Sequence, residues 1–277
     1  MLKLWGMINK AFIKDILFSN LYIAVISLIG FWRSSELWKL QLSSNSFYVV
    51  FFSTFFIYSF SSQLSPSNNN TVKGYWNLTH PKWSKFGSIS SSLILLILFF
   101  SSPKIFLPLI PIGLLTVYYL YSSTGGFSFQ KGYFKTSILS LTWWYVLDIY
   151  PLILSNTNFQ PYQLGWLLLD WAYIHLICFY FDHRDHSIEN QPFLIFNQHQ
   201  FPFLVPLICG VCFLIGAYFF IAGPIVFHSF LIYKSFLFFF LLATYPISIS
   251  THSYYWFYLI LDGCLALDAF YFWYFCK

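Results

Sequence analysis

Apolar residues in this chain come in long runs that are apolar on every face, broken by short polar segments. Runs of that length and uniformity are the pattern of helices in lipid. Those long enough to cross, or nearly cross, about 30 Å of hydrocarbon are Ile16–Trp32, Ser46–Leu64, Ser88–Phe100, Pro103–Tyr121, Phe134–Ser155, Tyr162–Phe181, Phe201–Ile221, Ile225–Ser248 and Tyr254–Phe275. The pattern predicts about nine helices. Ser101, Ser102, Pro103 and Lys104 separate the short third run from the fourth, and Pro103 reads as the first-turn proline that starts the fourth. A membrane barrel would need alternating apolar and polar residues, which these runs lack. The expected fold is therefore all-α: one polytopic helical bundle spanning 1–277, with long polar loops at 65–86 and 182–200.

Composition narrows the class further. Of 277 residues, 58% are hydrophobic and 25% aromatic, while Lys+Arg 14 and Asp+Glu 9 make up only 8%. Soluble domains use roughly a quarter charged residues, so this chain cannot cover a water-facing surface. A mean hydropathy of +0.65 agrees, and the dominance of apolar residues excludes disordered, collagen-like and disulfide-scaffold classes. The 36 Phe and 21 Tyr read chiefly as lipid-facing bulk and interfacial belts. A net charge of +5 does not imply nucleic acid, because basic residues in a membrane protein mainly set orientation.

With an odd number of spans and the N-terminus inside, Lys3, Lys10, Lys14, Lys73, Lys82, Lys85, Lys131, Lys135 and Arg184 fall on the cytoplasmic face. Arg33, Lys39, Lys104 and Lys277 then fall outside. The bias supports a multi-pass integral membrane protein, N-terminus in and C-terminus out. It also puts the loops Ser65–Phe86 and Asp182–Gln200, after the second and sixth spans, on the cytoplasmic side. Asn69 and Asn77 match the N-glycosylation pattern, but a cytoplasmic loop would not meet that enzyme. The N-terminus lacks the short apolar core and small residues that a signal peptidase cuts, so the first span is expected to be retained. Of the cysteines, Cys209 and Cys212 have CxxC spacing, yet they sit in an apolar run with no second ligand pair and read as buried thiols.

The densest chemistry follows the sixth span. Asp182, Asp185 and Glu189 are a third of all acids in the chain. If the sixth helix continues past the bilayer edge, these positions, at i, i+3 and i+7, share one face and Arg184 points elsewhere. Clustered carboxylates repel unless a cation lies between them, and oxygen-only ligation suits Mg²⁺, which commonly bridges carboxylates to substrate phosphates. The plainer reading is a solvated helix end whose charges stop the span and pair with basic neighbours.

The segment Asp182-x-Arg184-Asp185-x-x-x-Glu189 resembles the second acidic motif, DxRDxxxD, of the UbiA superfamily of intramembrane prenyltransferases, with Glu in place of the last Asp. Members have nine spanning helices and acidic motifs in the cytoplasmic loops after the second and sixth, where this chain has its long polar loops; the likeness implies a bundle around a central cavity, with loops 65–86 and 182–200 as a cap over it. Tyr121 and Lys135 ahead of the fifth run, and Asn20 in the first, are similar to a Tyr, a Lys and an early Asn of the family. The family's first motif, NDxxDxxxD, is absent: residues 58–86 contain no Asp or Glu. The resemblance implies ionisation of an allylic diphosphate and transfer of its isoprenyl group to a small lipophilic acceptor, aromatic or quinone-precursor. It implies Mg²⁺ held by Asp182, Asp185 and Glu189, with Asp182, Asp185 and Lys135 in the catalytic machinery. Arg184, Lys131, Tyr121 and Asn20, and with them Lys73, would grip the diphosphate.

Ionisable residues inside spans also need a reason, since lipid penalises them. Asp148, Asp170, Asp262, Asp268, Lys234, His175 and His228 either line a cavity, with Asp148 or Asp170 holding an acceptor or pairing with Lys234, or join helices by hydrogen bonds, the reading favoured here. His183 and His186 flank the acids, as further ligands or as solvated helix-end histidines. Two other readings stand beside the enzyme: a non-catalytic relative that binds lipid or serves in a biosynthetic membrane complex, and an unrelated carrier with Asp148, Asp170 and Lys234 as its polar path.

Overall fold

The computed structural model describes residues 15–64, 72–121, 133–156, 160–189, 204–224, 226–245 and 260–275. Among these residues the chain is helical, with no strand. Its helices are α1 (Leu21–Leu37), α2 (Ser44–Leu64), α3 (Val72–Thr79), α4 (Pro81–Ser101), α5 (Pro103–Phe106), α6 (Ile110–Tyr121), α7 (Tyr133–Trp144), α8 (Tyr150–Ser155), α9 (Pro161–Glu189), α10 (Leu204–Ile221), α11 (Val226–Ala243) and α12 (Asp262–Phe275). Among the described residues, six helical stretches are long and apolar enough to cross a membrane: Ser44–Leu64, Pro81–Ser101, Pro103–Leu120, Thr136–Ser155, Pro161–His183 and Leu204–Ile221. The protein is thus an all-helical, multi-pass membrane protein.

Three element boundaries differ from the sequence reading. The first run is interrupted: residues 15–18 are helical, the chain breaks at Asn20, whose φ of 65° is a left-handed conformation that asparagine tolerates, and α1 starts at Leu21. It then runs past Trp32 to Leu37, taking Arg33 into the helix. The third span is a full 21 residues from Pro81, not a short run from Ser88, so the loop expected over 65–86 contains α3 and the start of α4. Its serines do not break the helix because they bond within it: Ser88 Oγ donates to Lys85 O, Ser90 Oγ to Phe86 O and Ser92 Oγ to Ile89 O. The sixth helix continues through Glu189, so the first residues assigned to the 182–200 loop are helical.

Two compact units can be separated: residues 1–29 with 43–106, and 30–42 with 107–277. In the first, α2 packs on α4 through small and hydroxylated residues. A Cβ on Gly87 would lie 2.5 Å from Ser59 Oγ, so a larger residue here would require that side chain to turn aside. Gln63 Nε2 bridges them, donating to Ser88 Oγ at 2.7 Å and Ser84 O at 3.0 Å.

In the second unit α9 is the axle. Within its apolar stretch 78% of residues are buried, against 44% for Thr136–Ser155 and 33% for Leu204–Ile221. It meets α10 backbone to backbone where Gly165 and Gly216 cross. A Cβ on Gly165 would fall 2.5 Å from Phe220 N and 2.7 Å from Gly216 O. Between α7 and α8 the helix widens into a π-helical segment, Tyr145–Ile149, closed by Tyr150 N–H donating to Tyr145 O. Pro151 follows, and its missing N–H and bulky ring disturb the regular ladder one turn back, at Leu147.

Candidate functional site

Four charged side chains from four helical segments meet in the second unit, all at 0% exposure: Arg33 of α1, Asp148 of the π segment, Asp170 of α9 and Lys234 of α11. Arg33 grips Asp170 with both terminal nitrogens, Nη2 to Oδ2 at 2.8 Å and Nη1 to Oδ1 at 3.3 Å. Lys234 Nζ reaches Asp170 Oδ1 at 2.6 Å. The same Arg33 Nη2 lies 2.9 Å from Asp148 Oδ1. Two cations against two carboxylates balance formally, which is how such a group can be buried in an apolar bundle.

Aromatic rings complete the surroundings. Trp166 lies under both cations, its ring centroid 5.2 Å from Arg33 Cζ and 5.5 Å from Lys234 Nζ. Tyr173 stands 3.5 Å from Lys234 Nζ. These faces attract cations by their quadrupoles, most strongly where water is absent. Trp166 Nε1 also donates to Asp148 Oδ1 at 3.1 Å, beside Ser34 Oγ at 2.7 Å. Asp148 Oδ1 therefore takes three donors, whereas its Oδ2 is buried with no hydrogen-bond partner.

Farther along α9 two more polar pairs join it to α7. His175 Nδ1 and Ser140 Oγ are 2.7 Å apart, and Thr136 Oγ1 donates to Asp182 Oδ2 at 2.6 Å. Asp182 is 5% exposed, so it is no solvated helix end. Asp170 and Asp182 are separated by about 18 Å of helix, at 1.5 Å per residue.

Of the residues singled out by sequence, Asp182 is the member of the acidic motif whose side chain is described. Asp185 and Glu189 follow it at i+3 and i+7 of one unbroken helix. Their side chains, with those of Arg184, His186, Lys135, Tyr121, Lys73, Asp262 and Asp268, lie outside the described residues, as does Lys131. Lys135 directly precedes Thr136 in the first turn of α7. His183 is half-buried, edge-on to Phe179, and His228 Nε2 lies 3.2 Å from Ile221 O. Asn20 belongs to the first unit, where its Nδ2 donates to Ser62 Oγ at 3.3 Å and its buried Oδ1 has no partner. Cys209 is a buried free thiol.

Arg33, assigned to the outer face by the charge count, is instead fully buried. Charge arithmetic could have found it: Asp148 and Asp170 within spans need two cations, and Lys234 is only one. Trp166 gave no signal among so many aromatics. As for Mg²⁺, Asp182 offers the hard oxygen donor it prefers, and among the described residues no three His, Cys, Asp or Glu side chains converge as a metal site.

Comparison with protein-family models, with curated proteins and with solved structures finds no match.

Proposed function

We propose that the chain is a UbiA-like intramembrane prenyltransferase that moves an isoprenyl group from an allylic diphosphate to a small lipophilic acceptor. The observation supporting this is the end of α9. The helix is unbroken through Asp182, Asp185 and Glu189, and Asp182 is buried and tied to Thr136, the residue after Lys135. Two parts that the resemblance assigns to the diphosphate end, the acidic motif and the start of the fifth span, are thereby joined by a hydrogen bond. Bound Mg²⁺ would supply neutralisation of the charge that develops on the leaving diphosphate. Asp182 would hold it, with Asp185 and Glu189, while Lys135 and Arg184 would bind diphosphate oxygens. Thr136 fixes the carboxylate so that little reorganisation is needed.

A second reading, a non-catalytic relative with a lipid-binding bundle, is favoured by the end of α2. There the family's first acidic motif is replaced by Ser59, Ser62 and Gln63, of which Gln63 bonds across to α4 and Ser62 back to Tyr58 O in its own helix. Assay of membranes containing the protein with a radiolabelled prenyl diphosphate and Mg²⁺ separates the two. The enzyme reading expects Mg²⁺-dependent transfer that falls at least 100-fold, roughly the effect of removing an electrostatic catalytic group, in Asp182→Asn. Absence of transfer by the wild type supports the second reading, and equal turnover in the variant overturns the first.

A further inference from the structure

The buried charge cluster is used by neither reading. Its two carboxylates differ. Asp170 is saturated with charge, held bidentately by Arg33 and at 2.6 Å by Lys234. Asp148 receives Arg33, Ser34 and Trp166 on Oδ1 alone, and its Oδ2 is buried without any donor. An ionised carboxylate oxygen stranded in an apolar interior loses its hydration and gains nothing in return. Less than 1 Å² of Oδ2 is accessible, too little for a water or a larger ion, but a proton needs no void.

We infer that Asp148 Oδ2 is a proton-binding position inside the membrane-spanning bundle. When it is occupied, Asp148 keeps its three donors on Oδ1 and the cluster carries one excess positive charge. The surroundings suit that state, because Trp166 and Tyr173 present ring faces to Arg33 and Lys234. When the proton leaves for water, the cluster returns to two cations and two carboxylates. The charged groups facing Asp148 are Arg33 from α1, Asp170 from α9 and, through Asp170, Lys234 from α11. The π segment that carries Asp148 is the kind of local helix irregularity found at functional positions.

Infrared spectroscopy of the purified full-length protein, with ¹³C-carboxyl aspartate labelling, tests this directly. The expected result is a protonated-carboxyl C=O band within roughly pH 5–8. It should shift down in D₂O, be lost in Asp148→Asn and weaken in Asp170→Asn, which leaves Asp148 as the one carboxylate of the cluster facing Arg33 and Lys234. Because an amide mimics the protonated acid, Asp148→Asn should also unfold within a few degrees of wild type, while Asp170→Asn should unfold well below it. The proposal is overturned by the lack of an Asp148-dependent band throughout that range. It is equally overturned if Asp148→Asn fails to fold or loses as much stability as Asp170→Asn, which would make Asp148 a permanently ionised partner.

Discussion

The two units solve the same problem, joining helices in lipid, with different chemistry. In the first, α2 and α4 meet through neutral groups: Gly87 against Ser59, and the Gln63 amide reaching Ser84 and Ser88. In the second, α1, the π segment, α9 and α11 meet through two cations and two carboxylates, none exposed to solvent. Neutral hydrogen bonds between membrane helices contribute about 0.6 kcal/mol each on average and cost little to bury. Buried charges cost several kcal/mol per ion before their pairing returns it, and apolar residues of similar volume often hold a fold as well. A protein needing only cohesion could use the first kind of joint throughout, so the second kind is costlier than cohesion alone requires.

The sharpest way to break this contrast is to unbalance the charged joint. Asp170→Leu leaves Arg33 and Lys234 facing at most one carboxylate, and should cost about 3–5 kcal/mol, the usual penalty for breaking a buried pair. Thermal or SDS-driven unfolding in detergent micelles would read it. Adding Lys234→Met removes the stranded cation and should recover most of the loss. If the double variant is no more stable than the single one, the cluster is not an electrostatic unit.

The contrast was partly legible in the sequence. Uniform apolar runs gave helices, because lipid leaves the backbone no other way to satisfy its polar groups. Pro103 marked the start of α5, whereas Pro81 and Pro161, which open α4 and α9, precede the apolar runs by which those helices are recognised. Asp148, Asp170 and Lys234 stood out by lying inside apolar runs, and the pairing of Asp170 with Lys234 was among the expectations. Arg33 did not, because a charge near the end of an apolar run looks like a span terminus unless its partners, 115 and 137 positions away, are known. The start of α4 misled in the opposite direction: in a linear reading Lys82, Ser84 and Lys85 place it in a polar loop, yet the helix begins at Pro81. Asp182 was legible as a residue type in a motif, whereas its burial and its bond to Thr136 depend on how α7 and α9 pack.

The close contact within each unit offers a milder probe. Gly165→Ala places a methyl 2.5 Å from Phe220 N and 2.7 Å from Gly216 O. Both are backbone atoms that cannot rotate aside, so α9 and α10 must separate. The expected loss is about 1–3 kcal/mol, in the range of overpacked cores, measured by the same unfolding assay.

Gly87→Ala in the first unit looks equally severe by distance, because its methyl would lie 2.5 Å from Ser59 Oγ. The obstructing atom, however, ends a short side chain and has no hydrogen-bond partner, so turning it aside breaks no bond. What resists is the rest of the contact, Phe55 Cζ at 3.0 Å and Ser59 Cβ at 3.1 Å, each of which must yield by a few tenths of an ångström. The cost should be about 1 kcal/mol or less, the low end of overpacking. Ser59→Ala in the same chain deletes the obstructing oxygen and should return Gly87→Ala close to wild-type stability. No such rescue is open to Gly165→Ala, since its obstruction is backbone. If Gly87→Ala proves as costly as Gly165→Ala and Ser59→Ala does not relieve it, the neutral seam is as rigid as the backbone crossing.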